Sequence, residues 1–168
     1  FTVKGAEDFT FHLQNVVVDQ SDLSTPTGVL LPPQTMQLYP SGIASWRGFY
    51  AQNATITLPE KLSRHNEATE IYANHLIIDD SGLSGSFGAN NVFSTADGSM
   101  NDSWGFSLNN FQVDLANNHV TGGSLSGQIE IAALDDHSFN YTATVTENVN
   151  SDKLDYVFTI SPGTEAVT

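Results

Sequence analysis

Hydrophobic and polar residues alternate with a period of two along nearly every patterned stretch of this chain, and none recurs at the 3.6 of a helix. Tyr141-Thr142-Ala143-Thr144-Val145-Thr146 puts Tyr141, Ala143 and Val145 on one side and three threonines on the other. Tyr156-Val157-Phe158-Thr159-Ile160, Phe9-Thr10-Phe11-His12-Leu13 and Ala54-Thr55-Ile56-Thr57-Leu58 follow the same rule. Successive side chains of a strand point to opposite faces, so the pattern predicts half-buried strands. It places them near residues 9–18, 28–31, 48–58, 70–78, 83–88, 104–115, 125–132, 139–147 and 154–161.

Turn chemistry separates these segments. Clusters rich in Asp, Asn, Ser and Gly stand at Asp19-Gln20-Ser21-Asp22, Pro40-Ser41-Gly42, Asp79-Asp80-Ser81-Gly82, Asp97-Gly98-Ser99, Asn117-Asn118, Gly122-Gly123 and Asp135-Asp136. Gly supplies positive φ, and Asn and Asp tolerate it while bonding their own backbone. Residues 60–70, after Pro59, carry little apolar stripe and read as a loop. Asn109-Asn110 breaks the phase between Leu108 and Phe111, which predicts a β-bulge or tight turn. The fold class expected is all-β: one antiparallel β-sandwich or jelly-roll-like domain over 1–168. Its core would draw on Phe9, Phe11, Leu13, Ile56, Leu58, Leu76, Ile78, Phe106, Leu108, Phe111, Val113, Leu115, Ile129, Ile131, Tyr141, Val145, Tyr156, Phe158 and Ile160.

Composition narrows the function classes. At 168 residues the chain has the size of one ordinary domain and can bury about 70% of its unfolded surface. Cysteine is absent, which removes disulfides, thiol nucleophiles and Cys-based metal sites. Five Lys+Arg against 19 Asp+Glu give a formal charge of −14. Such a field repels phosphate backbones and anionic membrane surfaces, so no nucleic-acid partner is expected. No apolar run approaches the roughly 18 residues that span a bilayer, so no membrane insertion is expected. Charged residues make up only 14%, and Ser, Thr and Asn carry the solubility. A Cys-free, Lys-poor, acidic surface of this kind fits an extracellular, secreted or cell-surface bacterial protein. The chain opens at Phe1 inside a strand-like pattern, as a mature form or an excised module of a larger protein would.

A weak internal echo runs through the chain. Asn15-Val16-Val17-Val18-Asp19, Asn74-His75-Leu76-Ile77-Ile78-Asp79 and Asn110-Phe111-Gln112-Val113-Asp114 are each followed by a Leu-Ser step, at Leu23-Ser24, Leu83-Ser84 and Leu125-Ser126. The unequal intervals exclude a solenoid of fixed period. Hairpins of similar turn chemistry account for the echo more simply than duplication of a sheet unit.

The stretch Trp46-Arg47-Gly48-Phe49-Tyr50, running on to Thr57-Leu58-Pro59, is the most distinctive in the chain. With Leu125-Ser126-Gly127-Gln128-Ile129 it resembles segments of β-domains in very large, mostly uncharacterised secreted or surface proteins of bacteria. The resemblance covers these two patches, contains no catalytic motif and implies a module of a larger bacterial protein.

Candidate chemistry comes from three sources. Trp46, Tyr50, Tyr39 and Trp104 could form an aromatic platform for a sugar, with Asn90, Asn91 and Asp102 orienting hydroxyls; core anchoring is the commoner role of such large aromatics. Calcium is the metal that hard oxygen ligands favour, with Asp79 and Asp80, Asp97 with Asp102, and Asp19 with Asp22 as candidate ligands, although acid-rich turns are usually only turns. His12, His65, His75, His119 and His137 show no metal-ligand spacing. Glu130 and Glu147 are the carboxylates a glycan-active enzyme would use if they faced one cleft, and Gly123-Ser124-Leu125-Ser126-Gly127 lacks the spacing and the following helix of a nucleophile elbow. The expected function is therefore non-catalytic: a structural or adhesive module whose partners are other protein domains or subunits. Glycan binding, with or without calcium, is the alternative.

Overall fold

The computed structural model describes residues 8–20, 46–59, 69–97, 103–134, 137–148, 150–151 and 153–163. Nine antiparallel strands lie among them: β1 (Thr10–Asp19), β2 (Gly48–Thr57), β3 (Glu70–Asp79), β4 (Gly82–Phe93), β5 (Trp104–Phe106), β6 (Leu108–Ala116), β7 (His119–Ile131), β8 (His137–Asn148) and β9 (Lys153–Pro162). They form one sheet in the order β1-β2-β3-β4-β6-β7-β8-β9, with β5 pairing β7. Neighbours along this path follow one another in sequence except at β4–β6, where the short β5 intervenes and pairs β7 beyond the start of β6, so the sheet is in essence a meander. The all-β, antiparallel reading holds. The two stacked layers of a sandwich or jelly roll are not found among the described residues, whose strands all belong to the one sheet. The expected strand at 28–31, the turns at 40–42 and 135–136, and most of the loop at 60–70 lie outside the described residues.

The turns follow the side chains that the sequence offers. Asp80-Ser81 joins β3 to β4, and the carboxylate of Asp79 accepts the Ser81 N–H at 2.8 Å. Asn117 and Asn118, with φ of 49° and 66°, close the β6–β7 hairpin; two successive positive φ angles are what a tight two-residue hairpin turn requires. That turn is also stitched to β4. Asn118 N–H donates to the Leu83 carbonyl, the Leu83 N–H donates to Asn118 Oδ1, and the Asn117 N–H donates to Ser84 Oγ, each at 2.9 Å. Gly122-Gly123, expected as a turn, instead lies inside β7, with Gly122 opposite Asp114 and Gly123 opposite Val113. Pairing on both sides of the strand outweighs the local turn preference of two glycines.

Irregularities in several strands line up across the sheet as a crease. Asn15 on β1 and His75 on β3 have φ near +50°. The β3–β4 register shifts between Asn74 and Ile77, opposite Gly85, whose φ is +139°. The β6–β7 register shifts at the same level, between Asp114 and Leu115. A bulge bends a strand and increases its twist, so a line of them divides the sheet into two regions. Two copies of the sequence echo fall into equivalent places here: Val17 and Ile77 both pair with Tyr50, and Asp19 and Asp79 both pair with Gly48. The third copy, at 110–114, has no such place. The irregularity expected at Asn109-Asn110 is also present, carried by the partner strand: Asn90 pairs with Asn110 and Phe93 with Leu108, so two β4 residues oppose Asn109.

On the longer side of the crease the two faces differ in chemistry. One carries cross-strand rows such as Thr10–Thr57–Glu70–Asn90–Asn110–Ser126–Thr142–Thr159. Amide side chains bridge neighbouring strands on this face, Asn53 to Asn74 at 2.6 Å, Asn110 to Asn90 at 2.5 Å and Gln128 to Asn140 at 3.3 Å. The other face carries Phe11–Ile56–Ile71–Ala89–Phe111–Leu125–Ala143–Phe158 and Leu13–Ala54–Ala73–Phe87–Val113–Gly123–Val145–Tyr156. Cross-strand pairs are the unit of sheet stabilisation, and both faces use them.

Candidate functional site

Two structural knots organise the side chains that the sequence singled out. The first lies on the short side of the crease. Trp46 and Tyr50, each 2% exposed, pack with Ile77, which is fully buried, and Val17 lies against them. Trp46 Nε1–H donates to Asp79 Oδ2 at 2.9 Å, and the Tyr50 hydroxyl lies 3.1 Å from His75 Nδ1. Loss of water around Asp79 pushes its carboxyl above the ordinary carboxylate range, against the opposing pull of the Ser81 and Gly82 N–H groups, with the Asp80 charge adding to the rise. Burial also pushes the Tyr50 phenol up.

The second knot sits where β5 gives way to β6. Ser107, buried between them, donates its N–H to the Gln128 carbonyl at 2.8 Å and accepts the Gln128 N–H on its Oγ at 2.9 Å. Its own carbonyl receives the Tyr141 hydroxyl at 2.6 Å. The tyrosine reaches it by lying over Gly127, where a Cβ would stand 2.0 Å from the Ser107 oxygen and 2.7 Å from the Tyr141 oxygen. The opposite face repeats the device: Tyr72 lies over Gly88 and bonds Gln112 at 3.3 Å. An aromatic ring laid across a strand glycine covers the backbone that the glycine leaves bare.

Around the second knot the apolar face opens to solvent. Tyr141 stacks on Phe158 with ring centroids 6.0 Å apart, and Phe106 meets Phe93 edge-on at 5.0 Å. Trp104, Gly105, Phe106, Ile129, Tyr141 and Phe158 line a depression of about 260 Å³. Trp104 is 51% exposed, Phe158 60% and Tyr156 74%, and Leu13, Ile71, Phe111 and Ile160 are exposed elsewhere along the same face. Many of these residues were expected as core. They point to one side as alternation requires, but no second layer among the described residues covers them.

The structure separates the expected sugar platform. Trp46 and Tyr50 are buried and cannot stack on a sugar, whereas Trp104 is open on the far side of the crease. Tyr39 and Asp102 lie outside the described residues, and Asn90 is engaged with Asn110. Two of the expected calcium ligands have structural work: both oxygens of Asp79 accept hydrogen bonds, from Trp46 and from Ser81, and Asp97 Oδ2 accepts the Ser94 N–H at 3.1 Å and its hydroxyl at 2.8 Å, closing its own turn, while Asp22 lies outside the described residues. Asp80 is exposed on the β3–β4 turn. Among the described residues no group of three or more His, Cys, Asp or Glu side chains is placed to hold a metal ion. Glu130 and Glu147 do not face one cleft. Glu130 pairs with Ser138, and Glu147 lies nine residues further along β8 on the opposite face, roughly 30 Å away at about 3.3 Å per residue.

No family model, curated protein or solved structure matches this chain. No helix among the described residues is long and apolar enough to cross a membrane.

Sequence reasoning missed the Ser107–Gly127–Tyr141 knot. Its only trace was Tyr141 standing among threonines, since a tyrosine on the apolar side of a strand needs a partner for its hydroxyl.

Proposed function

We propose that this chain is a non-catalytic structural or adhesive module of a large bacterial extracellular protein or secreted particle, and that it binds other protein domains or subunits through the apolar face of its sheet. The observation that carries the proposal is the pair of unbroken apolar rows from β1 to β9, open to solvent at Leu13, Ile71, Phe111, Tyr156 and Phe158. Monomeric proteins rarely leave an apolar patch larger than a few hundred Å² exposed, and larger ones mark interaction sites. The acidic, Cys-free composition supports the extracellular setting.

Exposure of Trp104 beside Phe106 favours a second reading, a carbohydrate-binding module in which one aromatic face stacks on a sugar. A glycan array separates the two. Probed with the folded domain in calcium and again in chelator, it is expected to stay silent. Binding that disappears in Trp104→Ala would overturn the association reading in favour of a sugar site, and further loss in chelator would make calcium part of it.

A further inference from the structure

We infer that the occupant of the apolar face is the same face of a second copy, so that two chains together build the two-layer sandwich that one chain predicts. The inference rests on the reading of this face as an association surface and names the partner. Three observations favour a copy of the chain.

The first is size. Eight strands at about 4.8 Å spacing, with about six residues of length at about 3.3 Å each, give a plane of roughly 700 Å². A stable interface needs about 800 Å² of accessible surface per partner, and side chains standing off a sheet expose more surface than its plan.

The second is charge. Across all eight positions of both apolar rows there is no carboxylate, amine, guanidinium or imidazole. On the paired strands Glu70, Asp114, Glu130 and Asp155 alternate to the polar face, and Glu147, opposite Leu154, falls on the apolar side only at the end of β8, beyond both rows. A chain of formal charge −14 can therefore meet its copy here without pressing like charges together, the usual obstacle to self-association of an acidic protein.

The third is shape. Two sheets stack about 10 Å apart with strands within about 30° of each other, interdigitating the side chains of their inner faces. Tyr156, Phe158, Ile160 and Trp104 stand out from this face, and the depression between Trp104 and Phe158 offers a pocket for an apolar side chain from the facing sheet. A two-fold axis makes such a contact self-complementary and closed.

The test is the mass of the 168-residue chain in solution by sedimentation equilibrium over a dilution series. Twice the 18.1 kDa of one chain is expected at high concentration. Phe158→Asp is expected to give the monomer with an unchanged far-UV spectrum, and Thr159→Asp, one residue along on the polar face, to leave the dimer intact. Because Phe158→Asp could fail to fold, a second readout uses the absence of native cysteine. In Tyr156→Cys the thiol is expected to be shielded from a maleimide at high concentration and to react on dilution, while in Thr159→Cys it reacts at both. A folded monomer at every concentration overturns the inference, as does a dimer in which the cysteine of Tyr156→Cys stays reactive. A monomer that still attaches to another surface through Phe158 would leave the association reading standing and rule out the second copy as occupant.

Discussion

Gly127→Ala is expected to destabilise this domain by more than about 3 kcal/mol, beyond the usual cost of an overpacked site. The reason is local and geometric. An alanine Cβ at this position would stand 2.0 Å from the Ser107 carbonyl oxygen, which is backbone and cannot swing aside as a flexible side chain could. Relief by shifting β5 and β6 away from β7 would stretch both Ser107–Gln128 hydrogen bonds and displace the Tyr141 hydroxyl. Tyr141→Phe calibrates the knot. It keeps the ring over Gly127 and its stack on Phe158, but leaves the Ser107 carbonyl without that donor, a loss of about 1–3 kcal/mol for a buried polar group. Urea unfolding of the three proteins measures both effects. If Gly127→Ala unfolds at the same midpoint as the parent, the close approach of Ser107 to Gly127 is wrong.

Trp46→Ala carries the second large effect, about 3–5 kcal/mol. Trp46 is 2% exposed and belongs to the cluster with Tyr50 and Ile77, so its removal opens a cavity beside two buried side chains. It also takes away the N–H that satisfies Asp79 Oδ2, at a carboxylate already held in a poorly solvated position. Trp46→Phe separates the contributions: most of the packing survives, the donor does not, and the expected loss falls to about 1–3 kcal/mol. Trp104→Ala serves as the contrast, because a half-exposed ring loses far less on truncation. Denaturant midpoints ordered Trp46→Ala, Trp46→Phe, Trp104→Ala from lowest to highest bear this out, whereas equal midpoints for the two alanine variants would contradict the burial of Trp46.

The strands were legible because their alternation is local. The segments at 48–58, 70–78 and 139–147 match β2, β3 and β8 to within two residues at each end. Asn117-Asn118 and Asp79-Asp80-Ser81-Gly82 were legible as turns for the same reason, since their side chains do the turning. What alternation does not contain is whether anything covers the apolar side. Phe111, Phe158 and Ile160 read the same whether they face a second sheet in the chain, a partner or water, and of the expected core Tyr141 alone is buried among the described residues. The two tryptophans show the limit for sites. Both read as large aromatics between polar residues, yet Trp46 is fixed by Asp79, 33 positions away, and Trp104 stays open on an edge-like three-residue strand. Only the pairing of β2 with β3 brings Trp46 and Asp79 together, and no spacing rule encodes it. Glu130 and Glu147 fail as a pair for a related reason: the β7–β8 register, not their separation in sequence, sets them at opposite ends of a strand.

The most direct measurement of the claim that this module works through its apolar face compares two charge substitutions one residue apart on β9. Beads coated with the domain are scored for attachment to one another and to bacterial cell surfaces, using the parent, Phe158→Asp and Thr159→Asp, with folding of each protein checked by circular dichroism. Phe158→Asp is expected to abolish attachment while Thr159→Asp retains it, because strand alternation puts the first charge on the apolar face and the second on the polar one. Attachment lost in Thr159→Asp and kept in Phe158→Asp would place the working surface on the polar face and contradict the account.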